Sequence, residues 1–327
     1  MSQNSGATCQ ARLFHSGGRS RELDCAALAE VRLDDDCLLW VDLCRPDEAL
    51  LQSVWSQCRL PDAALAWMRG GSNPGVQKEA AHFWARAVAV TQSTTDQADG
   101  AVLHLIAGDN LVVTVHDAPL DFLDELRERE GTGSDVGALC AESFVASLLD
   151  WQLSTYFAAV ADFEMSVERL ETDILERCQG DCLPELRRLR RRASRLRRML
   201  APHRALFGAL SRPDFRPSES QQAERHFGAL DTRFERAMDM VENARDMIIG
   251  SFDLFTSQTA LQTNNIMQVL TFVTVIVGVL ATMAGVLGMN FDAQFFKTQD
   301  QGFWIALAVM LAFSLSAVAL GRWRKWF

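Results

Sequence analysis

Two stretches near the C-terminal end of the chain, Val269–Phe291 and Gly302–Gly321, contain no charged residue. Each matches the ~20 residues that a helix needs to cross a bilayer core at ~1.5 Å per residue. Two membrane-spanning helices are therefore expected. Over all 327 residues the hydrophobic share of 48% would pass for that of a globular protein, because apolar residues concentrate at one end. The remainder is long enough for a soluble domain of ordinary size.

The opening segment "MSQNSGATCQARLF" has no basic stretch followed by an apolar core, so no secretory signal is expected and the large N-terminal region is expected in the cytoplasm. An even number of crossings returns the tail "GRWRKWF" to the same side. Its Arg322, Arg324 and Lys325 obey the positive-inside rule, and Trp323, Trp326 and Phe327 suit the interface. The net charge of −10 argues against a nucleic-acid partner and would suit a vestibule that attracts cations. Eight cysteines are present (Cys9, Cys25, Cys37, Cys44, Cys58, Cys140, Cys178 and Cys182), and in a cytoplasmic domain they are expected to be mostly reduced. Cys178 and Cys182 are spaced like half of a metal clip, but no second Cys or His pair comes after them at zinc-site spacing.

The first 135 residues alternate strand-like and helical runs. "CLLWVDL" (Cys37–Leu43), His82–Gln92, "GAVLHLIAG" and Asn110–Asp117 read as strands, and "DEALLQSVWSQC" reads as a helix. Gly108-Asp109-Asn110 is a hairpin-like turn. After Val136 the pattern is helical throughout. Leu183–Leu210 reads as one amphipathic helix whose arginines are expected to pair with Glu164, Glu168, Glu171 and Glu176 across a hairpin. The prolines in "SRPDFRPSES" break the pattern, and Ser218 or Ser220 is available as N-cap of the next helix. From there to Gly288 no proline occurs. Apolar residues at Phe227, Leu230, Phe234, Met238, Val241, Ile248, Phe252 and Phe255 keep mostly three- or four-residue steps. A helix of that extent would be on the order of 100 Å long.

Enzyme chemistry finds no foothold. There is no Walker A sequence and no Gly-rich loop opening a helix. The six histidines are scattered, and His116-Asp117 reads as a turn rather than a base with its orienter. The long helix is more informative. With Asn264 as the zero of angle, Asp253 and Thr271 lie about 20° away, Gly278 about 40°, and Thr282 close to zero. In a lone chain with two spans, this polar and small stripe would face lipid. Symmetric assembly around a common axis relieves that cost. Ordinary helix packing through small residues accounts for Thr271, Gly278, Thr282 and Gly285 equally well, though less well for Asp253 and Asn264.

Gly288-Met289-Asn290-Phe291, at the end of the first of two C-terminal spans, resembles the signature of the CorA-type magnesium channels, a family that includes the zinc-transporting ZntB branch and CmaX-type members. Ala244–Thr271 is similar to the family's stalk entering the membrane, "LLWVDL" with Pro46 to its first strand and turn, and Leu200–Arg212 to the turn of its cytoplasmic hairpin. The resemblance implies an α+β membrane protein of the bacterial inner membrane with both termini cytoplasmic. It implies an N-terminal cytoplasmic α/β/α funnel domain and a very long stalk helix that continues into the first of two transmembrane helices, assembled as a homopentamer in lipid. The expected divisions are 1–135 (α/β domain), 136–217 (helical hairpin), 218–268 (stalk), 269–291 (first span), 292–301 (external loop), 302–321 (second span) and 322–327 (basic tail).

By the same resemblance, Gly288, Met289 and Asn290 form the pore mouth, where Asn290 meets the hydrated cation. Asn264 lies deeper, Met267 and Leu270 form a hydrophobic constriction with Thr271 beside it, Gly278 and Thr282 line the path, and Asp253 guards the cytoplasmic end. Asn290 and Asp253 are the expected metal contacts. No cofactor is expected beyond divalent cations as substrate and possible gating ligand. Departures from the family pattern are specific. Val279 stands for its proline, Gly278 and Ala281 for its pore methionine and threonine, Gln268 for a lysine, and "DAQFFKTQD" for its Met-Pro-Glu-Leu loop. The expected function is passive divalent cation transport, Mg²⁺ or Zn²⁺, with a non-conducting membrane scaffold or envelope-stress signalling protein as the alternative.

Overall fold

The computed structural model describes residues 7–34, 36–79, 81–92, 98–129, 136, 139–177, 182–212, 214–215, 221–289 and 299–324. These group into two compact units, Met1–Leu170 with Leu183–Ser251, and Glu171–Cys182 with Phe252–Phe327.

The first unit is built on seven strands: β1 (Thr8–His15), β2 (Ser20–Leu23), β3 (Cys37–Cys44), β4 (Gly75–Glu79), β5 (His82–Gln92), β6 (Ala98–Gly108) and β7 (Leu111–His116). Their order is β2-β1-β3-β7-β6-β5-β4, and β3 with β7 is the parallel pair. Both central strands are buried almost end to end, so they read as unbroken apolar runs rather than as alternation. The expected strands all form. The edge strands β2 and β4 and the penultimate β1 were not expected: their half-exposed, mixed composition lacks a run. β6 and β7 meet through the anticipated hairpin, with Gly108 opposite Leu111 and Asn110 in the left-handed region at φ 54°, a conformation Asn tolerates well.

Alternation along β3 sorts the two faces. Leu39, Val41 and Leu43 join a core completed by α1 (Glu48–Gln57) and α2 (Asp62–Arg69) through Leu51, Val54, Trp55 and Ala64. On the other face Trp40 meets Phe144 of α4 (Ala141–Arg177) edge-on at 5.4 Å. Helix α3 (Asp121–Arg129) comes directly after β7. The anticipated single helix Leu183–Leu210 is instead two, α5 (Cys182–Leu200) and α6 (His203–Leu210). Pro202 separates them, since it has no N–H to continue the ladder. Among the arginines of α5, Arg188, Arg195 and Arg197 pair with Glu185 of their own helix, Asp99 of β6 and Glu242.

Helix α7 runs unbroken from Gln221 to Leu287, 67 residues, and α8 from Gln299 to Trp323. Phe227, Leu230, Phe234, Met238, Val241 and Ile248 are buried as their spacing predicts. Phe252 and Phe255, expected on the same stripe, are half-buried because the buried stretch of α7 ends at Ser251. The proposed N-cap residues Ser218 and Ser220 lie outside the described residues.

The cysteine expectation needs one correction. Cys9 and Cys25, 16 residues apart, are joined by a disulfide. The β1–β2 hairpin folds back so that the 3-10 helix Cys25–Glu30 lies against the start of β1, which spacing alone does not show. Cys37, Cys44 and Cys58 are free thiols. Cys178, and with it the Cys178–Cys182 clip, lies outside the described residues.

Candidate functional site

Beyond Ser251 every described residue of α7 is exposed or half-buried, and the most apolar windows of α7 and α8 contain no buried residue. Ile266, Val275 and Val277 on α7 and Phe303, Trp304 and Ile305 on α8 stand open around both helices. Apolar surface of that extent is not stable in water, so lipid or further copies of the chain must cover it. The 25 residues of α8 reach about 37 Å at ~1.5 Å per residue, enough to cross.

Polar groups within this surface fall into two sets. Thr256, Thr259, Thr263, Thr274 and Thr282 donate their hydroxyls to carbonyls one turn back, at 2.8–2.9 Å. Ser314 and Ser316 of α8 do the same at 2.9 and 2.8 Å. Such groups are satisfied by their own helix and tolerate lipid. Ser257, Gln262, Asn265 and Gln268 are different, being exposed and without a hydrogen-bond partner among the described residues. Asp253, Asn264 and Thr271 are likewise exposed, and among the described residues none has a hydrogen-bond partner. They share one side of α7, within about 20° of Asn264 at 100° per residue.

The other expected path residues occupy the same helix. Thr282 aligns with Asn264, Gly278 lies about 40° and Met267 about 60° away, and Leu270 stands about 120° off. Met267 and Leu270 are 60% and 63% exposed. A straight helix thus places Met267 beside the polar line and Leu270 to its flank. At the far end, α7 stops at Leu287, where Gly288 N–H bonds Ala284 O at 2.9 Å and Met289 N–H bonds Val286 O at 3.3 Å. Asn290 lies outside the described residues. No three His, Cys, Asp or Glu side chains converge as metal ligands among the described residues.

Sequence reasoning missed a polar cluster at the carboxyl ends of the parallel strands. Asp42 on β3 receives hydrogen bonds from Thr114, from Arg127 of α3 and from His116 Nε2 at 3.2 Å, while His116 Nδ1 lies 2.6 Å from Ala118 O. Burial pushes the Asp42 pKa up, but the hydrogen bond and charge of His116, with Arg127, outweigh it and hold the carboxyl below its ordinary value. Burial likewise pushes His116 down, and Asp42 outweighs it and raises the imidazole. The cluster borders a cleft of about 200 Å³ that also includes Cys44, Arg45 and Asp124. His116 therefore pairs with Asp42, 74 residues away, and not with Asp117, whose carboxylate accepts from Val102 N–H. Adjacency in sequence points neighbouring strand residues to opposite faces.

A family profile described as CorA-like Mg²⁺ transporter protein matches residues 35–320. The chain belongs to that family. It is a family of transporters rather than enzymes. The cobalt/magnesium transport protein CorA of Thermotoga maritima is 27% identical over 223 residues, 68% of this chain and 63% of that protein. The divalent cation transporter CmaX of Pseudomonas aeruginosa is 26% identical over 270 residues, 80% of this chain and 71% of that one. The complete structure of the CorA magnesium transporter from Methanocaldococcus jannaschii superposes with a TM-score of 0.73 at 19% identity, covering 98% of each chain. The fold of this CorA-family chain is thus that of the complete transporter, from the N-terminal α/β domain to the second apolar helix.

Proposed function

We propose that this CorA-family chain conducts a divalent metal cation passively across the bacterial inner membrane, with both termini in the cytoplasm. The conducting form is a homopentamer whose α7 helices surround the path. The observation that carries this reading is the line of Asp253, Asn264 and Thr271, exposed and unpartnered among the described residues along the helix that leads into the first apolar run. Of these, Thr271 lies within the apolar run itself and in a lone span would lose its hydration without compensation. Turned toward a shared axis, they would line water instead. The names of the relatives, cobalt/magnesium transport protein and divalent cation transporter, support the cargo class.

Mg²⁺ keeps its six waters tightly, so rings of amide oxygens from Asn290 and Asn264 would recognise the hydrated ion without stripping it. Asp253 would concentrate cations at the cytoplasmic end, and Met267 with Leu270 would close the path by dewetting. Mg²⁺ and Zn²⁺ are both cargo candidates. Proteoliposomes carrying dyes for the two ions test the reading. Wild-type protein should admit at least one ion, and Asn290→Ala should admit it more slowly or with less discrimination. Equal flux in both proteins removes Asn290 from the mechanism, and no flux in either favours a non-conducting scaffold.

A further inference from the structure

Three adjacent strands, β1, β3 and β7, meet at the carboxyl edge of the parallel pair. Residues two apart on a strand share a face, so Thr8 with Gln10 on β1 and Asp42 with Cys44 on β3 stand on one side of the sheet. The register sets Thr8 opposite Cys44, Gln10 opposite Asp42, and Cys44 opposite His116 of β7. Asp124 and Arg127, three residues apart and so on one face of α3, line the same cleft of about 200 Å³ together with Arg45. In open α/β sheets, ligands bind outside the carboxyl ends of the strands.

Most polar groups in this cleft are spent. Asp42 accepts from Thr114, His116 and Arg127, Arg127 Nη1 donates to Asp124, and Thr8 shares a hydrogen bond with Cys44. What is left over is chiefly N–H. Arg127 Nε is buried without a partner. Gln10 and Arg45 are exposed, and among the described residues neither the Gln10 amide nor Arg45 Nη1 and Nη2 have a partner.

Arg45 is held in an unusual conformation. Its φ of 49° lies in the left-handed region, uncommon outside glycine, and the Pro46 that comes next favours extended backbone before it. Its N–H donates to His116 O at 2.8 Å and its Nε to Asp117 O at 3.0 Å. With His116 protonated, His116 and Arg127 balance Asp42 and Asp124, and Arg45 adds a charge that no carboxylate meets among the described residues.

Two other uses of the cleft fit less well. A metal ion needs ligand atoms that are already committed, and no three such side chains converge among the described residues. A nucleophile is not available either. Burial, and after it the charge of Asp42, pushes the Cys44 thiol up, and both His116 nitrogens are engaged by Asp42 and Ala118 O.

We propose that this cleft binds a phosphate-type oxyanion, with Arg45 as its charged anchor and Arg127 Nε and Gln10 as further donors. A tetrahedral oxyanion offers several acceptors on one small group, which matches donors arriving from three segments of chain. It also gives the buried Nε a partner, whose lack is costly. A cleft of about 200 Å³ is smaller than the ~300 Å³ at which pockets for drug-sized molecules begin. The anion is therefore inorganic phosphate or the head of a small phosphomonoester. The cleft lies wholly within the first unit, and the proposal does not depend on conduction.

The test is calorimetric titration of the full-length protein in detergent with inorganic phosphate and with glycerol 3-phosphate, in chloride buffer of fixed ionic strength. A dissociation constant on the order of 1 mM or below is expected for at least one of them. Binding of both assigns free phosphate as a sufficient ligand, and binding of the ester alone assigns the anion to a larger molecule. Arg45→Gly removes the anchor at a position whose backbone suits glycine. It should keep or raise the unfolding midpoint and bind on the order of tenfold or more weakly. Arg45→Lys keeps the charge without the fork and should fall between the two. Gln10→Ala, at an exposed position of β1, should weaken binding severalfold. No heat with either ligand at about 10 mM overturns the proposal, and so does wild-type binding by an Arg45→Gly protein of normal stability. Should Arg45→Gly melt early, undiminished binding by both Arg45→Lys and Gln10→Ala overturns it instead.

Discussion

Protonation of one buried histidine should govern the acid stability of the first unit. His203 is fully buried at the start of α6, where its Nδ1–H donates to Leu200 O at 3.1 Å and its Nε2 accepts the Val88 N–H at 2.9 Å. It stacks on Phe207 and meets Tyr156 edge-on. Both ring nitrogens are therefore used by the neutral tautomer, and a second proton would displace the Val88 bond. Burial, partly offset by hydrogen bonds to Leu200 and Met199, lowers its pKa to about 4 from 6.5. A folded value below the unfolded one means that the unfolded chain binds the proton first. The stabilisation is then complete above pH ~6.5 and is lost as pH falls toward ~4, about 3 kcal/mol at 1.36 kcal/mol per unit. His104 is lowered in the same way, so the total acid slope is shared. His203→Gln isolates the term, since its amide oxygen can still accept from Val88 and does not titrate. Denaturant unfolding of both proteins between pH 7 and pH 4 should show the wild type losing about 3 kcal/mol relative to the variant. Parallel curves would refute the assignment of the neutral tautomer to His203.

Other contacts carry further predictions. Arg127→Ala strips a partner from the buried Asp42 carboxylate and should cost about 3 kcal/mol in chemical denaturation; no change would mean that His116 and Thr114 suffice. His116 is raised by Asp42, so its contribution is present below its unfolded pKa and lost as pH rises through the raised value. His116→Gln should flatten stability against pH on that alkaline side, which thermal melts can check. Asn264→Leu should leave assembly intact and slow cation flux on the order of tenfold, about 1.4 kcal/mol of barrier, whereas unchanged flux would place Asn264 away from the path. Gly100→Ala drives a Cβ to 2.7 Å from Val88 Cγ1 and 2.9 Å from Met199 Sδ. Overpacking of that kind should lower stability by about 1–3 kcal/mol, read from the denaturation midpoint.

The two long apolar helical stretches and the strands β3, β5, β6 and β7 were legible in the chain itself, because each is a local pattern. An uncharged run of ~20 residues has few alternatives to a spanning helix, and a buried strand needs no distant partner to show its apolar composition. The polar stripe of α7 was legible for the same reason: helical periodicity alone brings Asp253, Asn264 and Thr271 together. What the local pattern did not disclose was their lack of hydrogen-bond partners among the described residues, beside threonines that spend their hydroxyls on their own helix.

Tertiary structure decided the rest, and in each case through pairing between distant residues. The strands β1, β2 and β4 exist because neighbours complete their hydrogen bonds, not because their composition demands it. His116 found Asp42 across a parallel ladder rather than the Asp117 beside it, and Cys9 found Cys25 through a hairpin. The division of α7 at Ser251 is likewise set by where the buried face of the first unit ends. Composition and period act over a few turns of chain, whereas these partnerships depend on which segments the fold brings within a few ångströms.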